Sequence, residues 1–148
     1  MQQPPAFTPY INCPGNAREV FEHYQQLFGG ELEVMSYDDF PDPSAAFGFT
    51  PPAGSVAHAS LHGGHVTIAG GDSVMTQTPA PLESGVYSFL IQPAEVETAK
   101  QIAQAIVDGG GAESMPIEQA PWGAYYGQVK DRFGVMWQFN VEGQHHQA

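Results

Sequence analysis

The chain has 148 residues, of which 42% are hydrophobic and 11% aromatic, which suits a packed domain and rules out a disordered chain. Sixteen Asp and Glu against four Lys and Arg leave a formal charge of −12. That field repels phosphate backbones and anionic headgroups, so nucleic acid and membrane surfaces are poor partners. A single cysteine, Cys13, permits no intrachain disulfide. Residues 1–9 lack a basic leader, and no stretch is long enough to cross a bilayer, so the expectation is a cytoplasmic protein.

Residues 7–13 alternate as a strand, which Pro9 confines to an edge or a strand start because proline cannot donate to the ladder. Pro14, Gly15 and Asn16 break it. Residues 17–28 then place Val20, Phe21, Tyr24, Leu27 and Phe28 on one helical stripe, with Asn16 as N-cap and Gly29-Gly30 as the stop. Arg18 and Glu22 stand four apart on this helix, at the spacing of an ion pair. Residues 31–37 alternate as a second strand. The proline-rich stretch 38–55 has no clear period and reads as a long loop, with Phe47 and Phe49 supplying an apolar inner side. Residues 58–61 and 65–69 flank Gly63-Gly64 as a hairpin. Residues 70–84, rich in Thr and Pro, read as the connection, with the first module bounded near residue 72.

The second half repeats the plan. A strand at 86–91 is followed by Pro93 and by a helix at 95–107 carrying Ala99, Ile102, Ala103 and Ile106 on one face. Residues 112–117 form a weaker strand interrupted by Pro116, and 119–123 form a turn. Strands at 124–130 and 135–141 flank a second turn at 131–134. The polar tail holds His145 and His146, to which no role is given. Pro14 and Pro93, Tyr24 and Ala103, Leu27 and Ile106, Phe28 and Val107, and Gly30 and Gly109 all share the offset of positions 14 and 93. The chain therefore reads as two βαβββ modules, at about 6–72 and 85–142, joined by a linker at 73–84 within one domain. Paired modules of this size build a concave sheet suited to a small ligand.

His58 opens a strand whose alternate residues face the concave side. It is either a hydrogen-bond partner or general base toward a ligand, or a histidine satisfied by backbone. Trp122, Tyr125, Tyr126 and Trp137 offer an aromatic wall with polar tips in the second module. Strand alternation lets only one of Tyr125 and Tyr126 line it. His58, His62 and His65 are close in sequence and read either as metal ligands or as solvated turn histidines. Cys13 precedes a helix start but has no basic neighbour, and reads as an inert thiol.

Three blocks, TPYINCPGNAREVFEHYQQLFGG, HASLHGGHVTIAGGD and PWGAYYGQVKDRFGVMWQFN, resemble in this order the PhnB-like branch of the vicinal oxygen chelate superfamily, which groups glyoxalases, bleomycin-resistance proteins and dioxygenases. The resemblance implies an α+β fold of two tandem βαβββ modules with curved mixed sheets forming a cup, assembled as a homodimer around a small-molecule ligand. Metal-dependent members carry His or Glu near the start of each module's first strand and on each last strand. The matching positions here are Thr8 or Pro9, Ile68 or a neighbour, Tyr87 or Ser88, and Gln138. Gln138 stands where those relatives have Glu, and a neutral amide is a weak metal ligand, so neither metal nor other cofactor is expected. The ligand-contacting residues expected are His58, Phe49, Trp122, Tyr125, Tyr126 and Gln138, with His58 the one candidate for a catalytic role. A methyltransferase is not expected, since no glycine-rich nucleotide loop follows a strand. Two alternatives accompany this reading: a lyase, isomerase or dioxygenase using a divalent metal, and sequestration of a cationic antibiotic.

Overall fold

Two helical stripes and two sets of alternating segments recur in the same order along the chain, and each set closes on its own helix. The computed structural model describes residues 3–74 and 78–142, so His145 and His146 lie outside the described residues. The chain divides into two compact units, with the boundary between Pro81 and Leu82. The first contains β1 (Tyr10–Cys13), α1 (Ala17–Phe28), β2 (Glu31–Ser36), α2 (Pro43–Phe47), β3 (Val56–His62) and β4 (Ile68–Asp72). The second contains β5 (Phe89–Ile91), α3 (Val96–Asp108), β6 (Ala112–Gln119), β7 (Tyr125–Lys130) and β8 (Met136–Val141). Their sheets have the orders β1-β4-β3-β2 and β5-β8-β7-β6. In each, the first and last strands pair in parallel and the other neighbours are antiparallel. The duplicated α+β plan with mixed sheets is thus present in both halves.

Each core follows from the helical stripe. Val20, Phe21, Tyr24 and Phe28 of α1 are buried, as are Ala59, Leu61 and Ile68 of the first sheet. In the second unit the buried faces are Ala99, Ile102, Ala103 and Ile106 of α3 and Val129, Trp137, Phe139 and Val141 of the sheet. Full burial of each large side chain contributes about 1.5–3 kcal/mol. Trp137 therefore belongs to the core, not to an aromatic wall. Its indole Nε1 donates to Asp131 Oδ2 at 2.9 Å, while Asp131 Oδ1 accepts from Phe133 N at 2.8 Å and Val135 N at 3.0 Å. One carboxylate, 3% exposed, ties the β7–β8 turn to the core.

Several local expectations are corrected. Residues 70–72 are strand and residues 65–67 are not. A Cβ on Gly70 would lie 2.4 Å from Ile11 O and 2.9 Å from Phe21 Cζ. The glycine is there for close approach of β1 and α1, not to make a turn. The Gly29-Gly30 and Gly63-Gly64 pairs likewise interlock. A Cβ on Gly64 would meet Phe28 O and Gly29 O at 2.4 Å, and His65 N donates to Phe28 O at 2.9 Å. Gly64→Ala is expected to cost about 2 kcal/mol, since backbone must move to admit the methyl. Urea unfolding measures it, and an unchanged midpoint would refute the crossing as the reason for this glycine.

Asn16 makes no side-chain cap bond. Instead Ala17 N donates to Asp72 Oδ1 at 2.8 Å, from 55 residues away in sequence. Among the described residues Arg18 and Glu22 form no ion pair. Both sit on the wet side of α1, where such a pair holds little energy. β1 begins only at Tyr10 and β5 only at Phe89, later than the alternation suggests. β6 continues through Pro116 to Gln119, because it is an edge strand and two register shifts absorb the missing donor.

Residues 38–55 are not a structureless loop. A 3-10 turn at Tyr37–Asp39 closes with a Ser36–Asp39 capping box, and α2 follows with Asp42 as its cap. The ring of Phe47 lies 4.9 Å from Tyr37 and 5.0 Å from Phe40, and Phe49 lies 5.8 Å from Tyr37. The rings cluster edge-on, with Phe47 still 38% exposed. Among the described residues no helix is long and apolar enough to cross a membrane.

Candidate ligand site

Alternation along β8 buries Trp137, Phe139 and Val141 and turns Met136, Gln138 and Asn140 to the other face, where they are half-buried. Register then decides which residues of β7 join them. Tyr126 stands opposite Asn140, Gln128 opposite Gln138 and Lys130 opposite Met136. Tyr125 pairs with Val141 and so belongs to the face of the buried residues.

On the open face four side chains form a directional hydrogen-bond chain. Gln128 Nε2 donates to the Tyr126 hydroxyl at 2.8 Å, and Tyr126 donates to Gln138 Oε1 at 2.6 Å. Gln138 Nε2 donates in turn to Ser88 Oγ at 2.7 Å. A hydroxyl that accepts still has its own proton to give. Tyr126 spends its proton on Gln138, whereas Ser88, at the end of the chain, offers its proton to a further acceptor. Leu90, in register with Gln138, is 53% exposed, and Met115 stands opposite Gln128. A polar track with apolar borders is suited to orienting a small organic molecule.

Of the residues expected from sequence, Tyr126 and Gln138 meet in this track. Trp122 is 68% exposed in the β6–β7 turn, which closes through Gly123 N to Ala120 O. His58 is exposed on β3 of the first unit, opposite Met35 and with its ring 5.8 Å from that of Tyr10. Phe49 belongs to the first unit's aromatic cluster. Gln128 escaped the sequence reading, although its place two residues after Tyr126 puts both on one strand face.

The positions that the resemblance matches to metal ligands carry side chains of other chemistry. Thr8 is an exposed hydroxyl ahead of β1. Ile68 is turned into the core, and its neighbour Ala69, in register with Tyr10, offers a methyl group. Ser88 is a hydroxyl, and both ends of the Gln138 amide are engaged. Hydroxyl, methyl and amide do not fit a divalent first-row ion, which takes imidazole, carboxylate or thiolate. The three histidines do not replace them. His58 and His62 are four residues apart on one strand, about 13 Å, and His62 Nε2 lies 3.5 Å from Glu33 Oε2. Among the described residues no group of three or more His, Cys, Asp or Glu could hold a metal ion.

Cys13 is fully buried. Burial, and secondarily the Asp72 charge, push its thiol up to about 12. In the folded protein it should resist Ellman's reagent at pH 8 and react only after unfolding. Because the folded pKa is raised, the associated stability is complete below the unfolded thiol's pKa, near 9, and declines as pH climbs toward 12. Stability that stays flat over this window, measured by urea unfolding, would contradict that burial.

The profile of the Glyoxalase/Bleomycin resistance protein/Dioxygenase superfamily matches residues 13–139. Protein YjdN of Escherichia coli (strain K12) is 29% identical over 144 residues, covering 90% of this chain and 93% of that protein. Among solved structures, protein PA1353 from Pseudomonas aeruginosa aligns with a TM-score of 0.73 and 28% identity, over 95% of this chain and 100% of the other. A Bacillus cereus structure described as a putative 3-demethylubiquinone-9 3-methyltransferase, PhnB protein, aligns with a TM-score of 0.64 and 23% identity, over 93% and 99% of the two chains. With the same strand order in both units and a profile match running from β1 to β8, the chain belongs to the glyoxalase/bleomycin resistance protein/dioxygenase superfamily.

Proposed function

We propose that this is a cytoplasmic, homodimeric, PhnB-like protein that binds a small organic molecule on the open face of the β5–β8 sheet without the superfamily metal. The observation that carries the reading is the chain from Gln128 through Tyr126 and Gln138 to Ser88. It occupies the last-strand position with an amide committed at both ends, and it finishes on a donor beside exposed Leu90. That donor suits a carbonyl oxygen, and Leu90 and Met115 suit the apolar body behind it. A net charge of −12 favours a neutral carbonyl over a carboxylate. The reading of a metal-dependent lyase, isomerase or dioxygenase finds no ligand set at these positions.

The first experiment is elemental analysis of untagged protein purified without added metal, before and after chelation and refilling. Metal far below one ion per chain is expected. A panel of aromatic ketones and amides follows, scored by thermal shift. A member present at a hundredfold excess over its dissociation constant should raise the melting temperature by about 5 °C or more. Stoichiometric metal, or a panel that never moves the transition, overturns the proposal.

A further inference from the structure

On the helix side of the second sheet, α3 and the edge strand β6 leave an open groove of about 210 Å³, lined by Lys100, Ala103, Val107, Glu113, Pro116 and Ile117. Register puts both walls on this side of the sheet. Glu113 stands opposite buried Val129. A Cβ on Gly127, in register with buried Phe139, would lie 2.6 Å from Ile117 Cγ1. Met115 and Glu118, opposite Gln128 and Tyr126, take the open face instead. On α3, Lys100, Ala103 and Val107 follow one another at helical spacing.

The direction of the two elements sets the ends of the groove. Residues 109–111 turn the chain back, with Gly111 N donating to Ile106 O at 3.0 Å, so β6 returns along α3. Glu113 therefore lies toward Val107, and Ile117 toward Lys100. Two helical turns, about 10 Å, separate Val107 from Lys100. The groove thus has a carboxylate toward one end, an ammonium toward the other and an apolar floor of Ala103, Val107 and Ile117 between them.

Neither charge is used within the chain. Among the described residues neither Lys100 nor Glu113 has an ion-pair partner, so they do not reach each other. Gln104, also on the groove, donates through Nε2 to Asp108 Oδ1 at 2.8 Å, which leaves its Oε1 as a second acceptor toward the Glu113 end. A further strand is a poor occupant, because Pro116 and two register shifts spoil the free edge of β6. A plain anion meets the field of a protein of charge −12, and a plain cation leaves Lys100 unanswered. A linear molecule with opposite charges at its two ends answers both side chains and lays its methylene chain on the floor.

We propose that this groove binds a linear ω-amino acid, with its ammonium on Glu113 and its carboxylate on Lys100. The groove and the hydrogen-bond chain ending at Ser88 lie on opposite faces of the sheet, so the inference stands or falls separately from the carbonyl site.

The test compares 6-aminohexanoate, hexanoate, hexylammonium and norleucine by calorimetry and amide NMR at pH 7 and about 0.15 M salt, where long-range attraction is screened. Norleucine is the isomer of 6-aminohexanoate with both charges at one end, so it isolates the spacing. 6-Aminohexanoate should bind at least tenfold more tightly than each of the others, with amide shifts centred on Ala103, Val107, Glu113 and Ile117. Lys100→Met and Glu113→Gln, both at exposed positions, should each weaken it tenfold or more. Arg18→Gln and Glu22→Gln, the same changes of charge at exposed positions of α1, should leave it unchanged. Equal affinity for the four probes, shifts centred outside the groove, wild-type affinity in either groove variant, or no binding of 6-aminohexanoate overturns the proposal.

Discussion

Asp131→Ala is expected to lower the unfolding free energy by about 3–5 kcal/mol. Three donors, Phe133 N, Val135 N and Trp137 Nε1, converge on this one buried carboxylate. Removing it takes this acceptor from two buried donors, Val135 N and Trp137 Nε1, and one part-buried donor, Phe133 N, each at a cost of up to roughly 1–3 kcal/mol, less what relaxation and water recover. Asp131→Asn should cost less, about 1–3 kcal/mol. An amide oxygen can still serve the two turn amides, but its NH₂ then faces the indole N–H. Urea unfolding followed by tryptophan fluorescence measures both variants, and the melting temperature of the alanine variant should fall by about 10 °C. A loss below about 1 kcal/mol would mean that this carboxylate does not hold the turn to the core.

Gln138→Leu is expected to lower affinity for any carbonyl compound found by thermal shift by about 30-fold, or roughly 2 kcal/mol. The substitution removes the centre of the chain, leaving the Tyr126 hydroxyl without its acceptor and Ser88 without its donor. Ser88 is then free to rotate, and its proton is no longer aimed. Gln138→Glu is the more discriminating variant. A carboxylate still accepts from Tyr126 but also accepts from Ser88, reversing the last bond of the chain and consuming the proton meant for the ligand. Affinity should fall about tenfold. No metal should be gained, because Thr8, Ala69 and Ser88 remain poor ligands. Titration calorimetry and elemental analysis of both variants decide the matter. Wild-type affinity in Gln138→Leu, or stoichiometric zinc in Gln138→Glu, would remove the track from the binding account.

The same residues show what was local and what was not. The stripes Val20, Phe21, Tyr24, Phe28 and Ala99, Ile102, Ala103, Ile106 were legible because helical period depends on neighbours three and four positions away. The alternation of β8 was legible for the same reason at period two, and the repeated order of these signals was enough to state the duplicated fold. Asn16 is the N-cap residue of α1 as its place in the sequence suggests, but its side chain makes no cap bond, and the carboxylate that accepts from Ala17 N, Asp72, is 55 residues distant. Gly70 read as connection because a glycine written in a line looks the same whether it makes a turn or admits another strand, and only the positions of Ile11 and Phe21 tell them apart. The course of residues 38–55 depended on Tyr37 meeting Phe47 and Phe49.

The candidate site divides in the same way. Sequence alone determined that Gln138 stands at the last-strand position and that only one of Tyr125 and Tyr126 could accompany it, since both follow from motif and period. Which tyrosine it is, and that Ser88 closes the chain from 50 residues away, was decided by tertiary structure. Strand register and the parallel β5–β8 pairing are long-range choices, set by how the buried faces fit together and not by any pattern within the segments themselves.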